Sequence, residues 1–506
     1  MKYTLIIIVS ALLFCGCNGW LDVTPRQQME EKDLYKNEEG FKSALTGIYI
    51  KLADAGLYGL NTTMYLPEML THHWTVATGT TIDTYSSLGK FDFTYSKADS
   101  LLGTIWANYY SAIAQINSLL VGMENTNALF LENKDRIIKG EALALRALLH
   151  LDLLRYWGPI PGKANPMAKA IPYVKEMGLD PSKFVTLSWQ EVTGFIKDDL
   201  DAAEELLDEV DPILHCSNAD LYGYNTTYPN VPQDSWLFHR QNRMNYYAVL
   251  GVKARFYHWI GDKTNAIKYA KLVVEAVNGN GSRKFPLADN TSYTMATTRP
   301  PKNMVMYCEH LFSVHNSRHQ NAIAPLFTLH EGNAPRFSQP SSAVATLFDS
   351  QENINDIRNQ SYRSWHHEMG QNSVYNNYFL KYTGNRSFDL NSSTNIASLN
   401  IIPILRVAEL YFILIENLPV GSDVNAYFYT YRTQRGLDAS VDNTLVDEIA
   451  VRNRLEKEYR KDFFGEGQMF FFYKKHEYEA YSWPTPFTLP ANAYVLPMPK
   501  DQTTFE

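Results

Sequence analysis

Apolar residues recur at helical spacing over long parts of the chain. One row within residues 105–123 advances by steps of four, four, three and four residues: Ile105, Tyr109, Ile113, Ile116 and Leu120. Side chains at these steps lie on one face of an α-helix, so an amphipathic helix is predicted there. Residues 137–156 carry two apolar rows on different sides. We expect that helix to be covered by neighbours on both sides.

A capping signal predicts a further helix. Ser188-Trp-Gln-Glu191 is a capping box, in which the serine and glutamate side chains bind the first free amides of a helix. The helix should continue to Leu207, and it is rich in acidic residues: Asp198, Asp199, Asp201, Glu204, Glu205, Asp208 and Glu209. We interpret these residues as a solvated acidic face rather than as a metal site.

Paired helices are predicted in the middle and at the end of the chain. Residues 244–260 and 263–277 form one pair around Gly261-Asp262, with small residues where the helices would touch. Three helices are expected in the C-terminal third: one from near Pro403 to Leu418, one ending at Gly436, and one from Thr444-Leu-Val-Asp447 to Gly465. Helix pairs of this kind are typical of tetratricopeptide repeats.

The stretches between the helices are polar and aromatic over residues 54–104, 211–240 and 280–400. Long irregular connections are usually functional or disordered, and the aromatic content argues against disorder. The predicted fold class is therefore mainly α, with tetratricopeptide-like helix pairs packed against an irregular, loop-rich half. We expect a single large domain with helical units around residues 41–277 and 401–465 and a loop-rich ligand region around residues 280–400.

The beginning of the sequence has the pattern of a lipoprotein signal. The apolar run from Leu5 to Phe14 is too short for a membrane anchor, and Gly16 precedes Cys17 as a small residue precedes a lipidated cysteine. We therefore expect residues 1–16 to be a signal peptide, Cys17 to carry lipid, and residues 17–40 to be a tether. Residues 41–506 would form the folded domain.

Composition narrows the classes of partner. The chain has 506 residues, of which 45% are apolar and 20% charged, and its formal charge is −8. These values are typical of a globular protein and argue against nucleic acid as a partner. Aromatic residues make up 13% of the chain. Beyond the signal region only Cys216 and Cys308 remain, and whether they pair is left open.

Sequence motifs for catalysis are missing. The chain has no HExxH, no GxSxG, no Walker A motif, no GxGxxG and no EF-hand loop. We therefore expect no enzyme, no cofactor and no metal site. A hydrolase is the alternative, because Glu409 and Glu416 share one helix face and glycoside hydrolysis uses two carboxylates. We favour a structural role, in which both carboxylates bind neighbouring helices or loops.

Several motifs together, in one order along the chain, carry a family resemblance. They are Cys17-Asn-Gly-Trp20-Leu-Asp22-Val-Thr-Pro25, Trp106 to Asn117, Gly140 to Ala147, Leu154 to Pro161, Arg406 to Glu416, Tyr431 to Leu437, Glu456 to Gln468, and Leu496-Pro-Met-Pro499. In these stretches the sequence resembles the SusD/RagB family of surface lipoproteins from Bacteroidetes. It departs from the family pattern at Ile415 and over Met469 to Tyr473.

The resemblance implies both a fold and a function. It implies four tetratricopeptide-like units packed against an irregular half, and a lipid anchor on the outer face of the outer membrane. It also implies a SusC-like TonB-dependent transporter as partner and a glycan or oligosaccharide as ligand, with the protein acting as a lid and not as a catalyst. A peptide-binding, RagB-like capture protein is the alternative within the family, and a ligand-free helical scaffold is the alternative outside it.

Loop aromatics are the candidate ligand contacts. Sugar rings offer C–H faces to flat aromatics and hydroxyls to polar side chains. Aromatics at helical spacing, such as Trp106 and Trp157, are expected in the core. The candidates are instead the loop aromatics Trp74, Tyr85, Tyr95, Tyr307 and Trp365, with Asn303, Arg318 and Asn321 as polar partners. If a glycan site exists, it is thus predicted to lie in the loops over residues 70–100 and residues 300–380.

Overall fold

The structure is a computed structural model that describes twelve stretches of the chain. They are residues 34–74, 84–177, 184–221, 231–289, 304–318, 323–327, 337–348, 355–359, 365–369, 375–382, 400–437 and 445–503. The predicted signal peptide, the lipidation of Cys17 and most of the predicted tether lie outside these residues. The first long helix begins at Glu38, inside the predicted tether and three residues before the expected domain boundary.

Helices dominate the described residues. The α-helices are α1 (Glu38–Leu52), α2 (Leu66–Leu70), α3 (Thr84–Gly89), α4 (Ser96–Glu124), α5 (Lys134–Trp157), α6 (Trp189–Leu207), α7 (Tyr246–Ile260), α8 (Lys263–Val274), α9 (Ser341–Leu347), α10 (Val407–Asn417), α11 (Ser422–Gln434), α12 (Glu448–Asp462), α13 (Gln468–Lys475) and α14 (Lys500–Thr503). A π-helical turn, Asn61–Tyr65, precedes α2. Short 3₁₀ turns occupy Pro161–Lys163, Pro212–Leu214, Ser235–Leu237, Arg240–Asn242, Tyr307–Glu309, Ala324–Phe327 and Leu380–Tyr382.

Strands in the described residues are short, and five of the seven lie between residues 310 and 406. They are β1 (His310–His315), β2 (Ser338–Pro340), β3 (Trp365–Met369), β4 (Tyr375–Phe379), β5 (Ile401–Arg406), β6 (Ala480–Tyr481) and β7 (Phe487–Thr488). All pairings are antiparallel: β1 with β5, β4 between β2 and β3, and β6 with β7. In the first sheet His310 faces Arg406 and His315 faces Ile401, and β5 leads directly into α10.

Local sequence signals explain where the long helices begin. Ser188 caps α6 with the predicted capping box, and Asn245 caps α7 by accepting a hydrogen bond from the amide of Ala248. Two predicted starts were wrong. Pro403 lies in β5, whose six residues are all buried, and the helix begins only at Val407. The cap of α12 is Asp447, which accepts from the amide of Ala450, so the helix begins later than Thr444.

Neighbouring helices along the chain pack side by side. Contacts run from α4 to α5, α5 to α6, α6 to α7, α7 to α8, α8 to α10 and α10 to α11. Gly261 ends α7 in the left-handed region with φ +84°, which lets the chain reverse into α8. Because each helix contacts mainly its sequence neighbours, the helical half has a repeat-like architecture. The predicted mainly α fold class is confirmed.

Buried charges join the loop-rich half to the helical half. We call this group the central ion cluster: Arg358, Lys381, Arg406, Arg435 and Lys461 with Glu309, Asp356, Glu458, Asp462 and Glu466. Arg406 is fully buried and donates to Glu309 at 2.6 Å, to Asp462 at 2.8 Å and to Glu466 at 2.9 Å. One guanidinium at the start of α10 thus ties β1 to α12 and to the turn that follows α12.

The central ion cluster also includes residues at the end of α11 and in the loop before β3. Arg435 donates to Asp462 at 2.8 Å and to Glu309 at 2.7 Å, and Arg358 donates to Glu458 at 2.8 Å. The hydroxyl of Tyr431 donates to Asp462 at 2.6 Å. Burial alone would raise the pKa of Asp462, but Arg435, Arg406 and Arg358 outweigh it and hold that pKa well below its ordinary value.

Glu409 and Glu416 have the structural roles predicted for them. Glu409 accepts two hydrogen bonds from Arg255 on α7, at 2.7 and 2.6 Å. Glu416 accepts from Lys475 on α13 and lies 3.1 Å from Nε2 of His476. Each carboxylate is therefore engaged by a neighbouring helix or by the end of one.

The acidic face of α6 is only partly solvated, which corrects the prediction. Asp198, Glu205, Asp208 and Glu209 are exposed. Asp199 is buried and accepts from Arg146 at 2.7 and 2.8 Å and from Tyr173 at 2.5 Å. Asp201 and Glu204 both bind Lys253 on α7. Apolar periodicity predicted which face of α6 is apolar, but it did not predict which acidic side chains form ion pairs with basic residues.

The structure also describes the two cysteines, the side chains that could bind a metal ion, and the helices that could cross a membrane. Cys216 is buried and Cys308 is half-buried, and no disulfide joins the two. Within the described stretches, His, Cys, Asp and Glu side chains form no group of three or more able to hold a metal ion. No helix in that same part of the chain is both long enough and apolar enough to cross a membrane.

We predict that Asp462→Ala lowers the free energy of unfolding by about 3–5 kcal/mol, because it leaves the buried guanidinium groups of Arg358, Arg406 and Arg435 without their shared carboxylate. Urea denaturation followed by circular dichroism measures the change. Lys197→Ala is the control, because its ion pair with Asp201 is exposed and should contribute less than about 0.5 kcal/mol. Equal losses in the two variants would contradict a central role for the cluster.

Stability should also decrease in acid. Burial would raise the pKa of Glu458, but Lys461, Arg358 and Arg454 lower it from 4.5 to about 2. A carboxylate with a depressed folded-state pKa stabilises the fold above its unfolded pKa, and this contribution is lost as the pH falls. Urea denaturation should therefore show the free energy of unfolding falling between about pH 4.5 and about pH 2. Glu458→Gln should flatten this slope, and an unchanged slope would exclude Glu458 as its source.

Candidate functional site

The residues predicted to contact ligand are not all in the described part of the chain. Asn303 and Asn321 lie outside it, so their predicted roles stay predictions. The other six residues occupy three separate surroundings: Trp74, Tyr85 and Trp365 in one aromatic cluster, Tyr95 at the start of α4, and Tyr307 and Arg318 on either side of β1.

Trp74 lies in the core. It is 1% exposed, and its ring stacks on Phe337 with centroids 5.3 Å apart and meets Phe464 edge-on at 5.0 Å. Its indole Nε1 donates to the carbonyl of Met64 at 2.7 Å. With both the ring and the N–H engaged by the protein, Trp74 offers no face to a ligand in this conformation. The interpretation of Trp74 as a sugar platform is therefore corrected.

Trp365 belongs to the same cluster. It is 4% exposed and contacts Phe379 at 4.8 Å and Phe464 at 4.9 Å. Tyr85 is half-buried at the edge, 6.2 Å from Phe337 and 5.1 Å from Tyr65. Aromatics from the two predicted loop regions do meet, as expected. They meet as a packed floor beneath the loop-rich half and not as an open platform.

Polar contacts lock this floor to the helical half. The side chain of Gln339 donates to the carbonyls of His72 and His73, at 2.9 and 2.7 Å. His73 stacks on Phe464 at 4.6 Å and hydrogen-bonds Glu68 at 2.7 Å. The other oxygen of Glu68 accepts from the amide of Gly467 at 2.8 Å. The segment that carries Trp74 is thus fixed to α2, to β2 and to the start of α13.

The other predicted contacts lie elsewhere. Tyr95 is half-buried at the N-terminus of α4, where its carbonyl accepts from the amide of Ala98 at 2.9 Å. Tyr307 packs edge-on against His310 at 5.1 Å. Arg318 is exposed just after β1, and its amide donates to the side chain of Asn316 at 2.9 Å. In the described structure these three residues form no common site with the aromatic floor.

A groove lined by both apolar and polar side chains lies beside the aromatic floor. It has a volume of about 780 Å³ and lies between the segment before α4, the end of α5 and the C-terminal segment. Its lining is apolar at the base and polar at the rim: Phe91, Asp92, Phe93, Thr94, Asp99, Trp157, Pro159, Lys169, Ala170, Asn492, Val495, Leu496, Pro497, Met498 and Lys500. We call it the α4 groove.

The base of the α4 groove is rigid. Trp157 is 2% exposed and its indole N–H donates to the carbonyl of Pro497 at 3.0 Å. Phe91 is buried and stacks with Phe487 at 6.2 Å. Phe93 meets Phe91 edge-on at 6.2 Å and remains half-exposed. Phe93 is therefore the aromatic face that the groove presents to solvent.

The rim carries both signs of charge. Asp92 accepts from the hydroxyl of Thr94 at 2.6 Å and from its amide at 3.1 Å, and this hydroxyl contact lowers the pKa of Asp92. Asp99 lies 3.5 Å from the amino group of Lys500, and the Lys500 side chain is largely exposed while that of Asp99 is half-buried. A fixed carboxylate, exposed ammonium groups and the Asn492 amide supply acceptors and donors around one aromatic ring.

The predicted window of residues 70–100 contains part of the lining of this groove, whereas the window of residues 300–380 contributes none of it. The window of residues 70–100 contains Phe91 and Phe93, yet the predicted contacts were the nearby Tyr and Trp residues. The alternation Phe91-Asp92-Phe93-Thr94 before a long helix was the available signal. The closing motif Leu496-Pro-Met-Pro499 supported only the family resemblance, although it builds the opposite wall.

Comparisons with known proteins agree with this architecture. Residues 19–224 match the family model SusD-like_3, which is described as starch-binding and associating with the outer membrane. A SusD superfamily protein from Bacteroides vulgatus covers 93% of this chain with 97% of its own, at 18% identity and a TM-score of 0.66. The chain has the SusD-like fold. The resemblance found in the sequence is thereby confirmed.

Two further solved structures show the same extent of similarity. A SusD superfamily protein from Bacteroides thetaiotaomicron covers 92% of this chain and 98% of its own, at 17% identity and a TM-score of 0.63. A SusD-like carbohydrate binding protein from Bacteroides vulgatus covers 93% and 96%, at 17% identity and a TM-score of 0.64. At these identities the structures establish the SusD-like fold alone. No curated protein matches the chain.

We predict that Trp74→Ala destabilises the protein by about 3–5 kcal/mol, because it leaves a cavity in a closely packed aromatic floor. Thermal unfolding should show a clear decrease in Tm. Tyr85→Ala is the control at the edge of the same floor and should cost much less. A Trp74→Ala variant with unchanged Tm would show that the ring is not structural.

Proposed function

We propose that this protein is a cell-surface glycan-binding lipoprotein that captures oligosaccharides and delivers them to a SusC-like TonB-dependent outer-membrane transporter. The observation that carries the proposal is the α4 groove, with one half-exposed aromatic ring between fixed polar groups. The family model over residues 19–224 supports it by its description, starch-binding associating with the outer membrane. The SusD-like fold adds a carbohydrate-binding relative as precedent.

The groove suits a sugar by shape and chemistry. A pyranose ring can place its C–H face on Phe93 while its hydroxyls bind Asp92, Asp99 or Asn492. Covering about 60 Å² of the ring would contribute about 1.5 kcal/mol at about 25 cal/mol per Å². One such contact with several solvent-exposed hydrogen bonds gives modest affinity. Modest affinity fits a protein that captures a ligand and then releases it to a transporter.

The place where the described chain begins, near one end of α4, suits a protein that acts as a lid on a transporter. The Tyr35 hydroxyl lies 2.9 Å from the hydroxyl of Ser118, towards the C-terminal end of α4. The groove lies at the other end of α4, where Asp99 lines it. At about 1.5 Å per residue, Asp99 and Ser118 are about 30 Å apart along the helix. A tether from a lipidated Cys17 would therefore join the fold near one end of α4, and the groove lies at the other end.

Capture without catalysis is part of the proposal. Glu409 and Glu416, the carboxylate pair considered for hydrolysis, are both buried in contacts with basic side chains. Neither lines the α4 groove. The groove itself places Asp92 and Asp99 at its polar rim, and Asp92 is bound by the hydroxyl and the amide of Thr94.

Phe93→Ala should weaken polysaccharide binding about tenfold, because it removes the exposed face of the groove. Affinity electrophoresis in gels containing amylopectin, xylan, mannan or β-glucan measures retardation of the chain beginning at Asn18. The matched control is Phe130→Ala, because Phe130 is also half-buried and follows the far end of α4.

Two outcomes would contradict the proposal. Equal retardation of Phe93→Ala and the parent protein would remove the α4 groove from the binding site. A chain that binds immobilised peptides and no glycan would replace glycan capture with peptide capture, the alternative that the family resemblance leaves open.

A further inference from the structure

A second cleft lies on the helical half, away from the α4 groove. It has a volume of about 230 Å³ and opens between the segment that follows α8 and one face of α11. Its lining residues are Val274, Glu275, Arg283, Pro286, Leu287, Tyr411, Tyr427, Thr430 and Gln434. None of them lines the α4 groove, and neither the sequence motifs nor the family model, which ends at residue 224, assigns them a role. We call it the α11 cleft.

One wall of the α11 cleft is a tight turn held from below. Val277 and Arg283 form an antiparallel bridge, and the amide of Lys284 donates to the carbonyl of Ala276 at 2.9 Å. The buried amino group of Lys284 donates to the carbonyls of Ile213 and Cys216. This anchoring fixes Arg283, which forms the bridge, and Glu275, two residues before Val277, in the lining of the cleft.

The opposite wall presents an oriented aromatic ring. Tyr427, Thr430 and Gln434 are spaced by three and four residues, so they share one face of α11. The hydroxyl of Tyr427 donates to Glu275 at 2.9 Å across the cleft, and its ring meets Tyr411 edge-on at 6.0 Å. Tyr427 is half-exposed, whereas Tyr411 is 7% exposed and forms part of the floor.

The chemistry of the α11 cleft points to an uncharged, hydroxyl-rich ligand. One carboxylate and one guanidinium balance each other, so neither an anion nor a cation is selected. Tyr427, Thr430, Gln434, Glu275 and Arg283 supply both donors and acceptors around a tyrosine ring. An apolar face surrounded by donors and acceptors matches a pyranose. The volume accommodates one ring and not a long chain.

We propose that the α11 cleft is a second carbohydrate site that binds a single neutral sugar ring at the end or branch of a glycan. This inference rests on the proposed glycan-capture function and adds a site to it. Two sites on one chain raise the apparent affinity for a polymer long enough to reach both, because the second contact becomes intramolecular. A short oligosaccharide gains nothing from the pair.

Affinity electrophoresis in the polysaccharide that retards the parent protein most strongly tests the proposal. Tyr427→Ala should weaken retardation about tenfold. Gln434→Ala should weaken it less, because it removes a rim group and no ring. The matched control is Tyr429→Ala, because Tyr429 is on the same helix, is 57% exposed and does not line the cleft. The control should bind as the parent protein does, and Tm measurements should show that all variants are folded.

A second comparison uses protein in which the α4 groove is already impaired. In a Phe93→Ala background, the remaining retardation should disappear with Tyr427→Ala and persist with Tyr429→Ala. If Tyr427→Ala binds as the parent protein does in both backgrounds, or if Phe93→Ala alone abolishes retardation, the α11 cleft is not a site while glycan capture stands. If no polysaccharide retards the parent protein, the proposed function itself fails, and the second site fails with it.

Discussion

A balanced cluster of buried charges is the constraint on which the rest of this structure depends. The loop-rich half has short strands and a packed aromatic floor, and its buried charges need partners from other parts of the chain. The central ion cluster supplies the missing contacts by placing Arg406 and Arg435 between Glu309 and Asp462. Such charges cost free energy to bury, so removing one leaves its partners without compensation.

The position of the α4 groove follows from this arrangement. Asp462 and Glu466, at the end of α12 and just after it, bind the arginines of the cluster. Phe464, between them in sequence, packs against Trp74 and Trp365. The ion cluster and the aromatic floor are therefore built on one short segment. Because His72 and Phe91 both contact Phe487, the floor continues to the wall of the α4 groove.

Apolar periodicity and capping sequences were sufficient to predict most long helices and the repeat-like pairing. They failed where burial depends on partners far away in sequence. Pro403 lies in a strand because His310 to His315 pair with the segment that contains it, and Asp199 is buried because Arg146 faces it. Trp74 looked like a loop aromatic for the same reason: Phe337 and Phe464, which cover it, are hundreds of residues away.

Hydroxyl-radical footprinting with and without a bound polysaccharide tests the central claim most directly, because it reports which side chains a glycan covers. Phe93 and Met498 line the α4 groove, whereas Met177 is exposed and does not line it. We expect the bound glycan to reduce the oxidation of Phe93 and Met498 and to leave the oxidation of Met177 unchanged. Unchanged oxidation of Phe93 and Met498 in the presence of a bound glycan would contradict it.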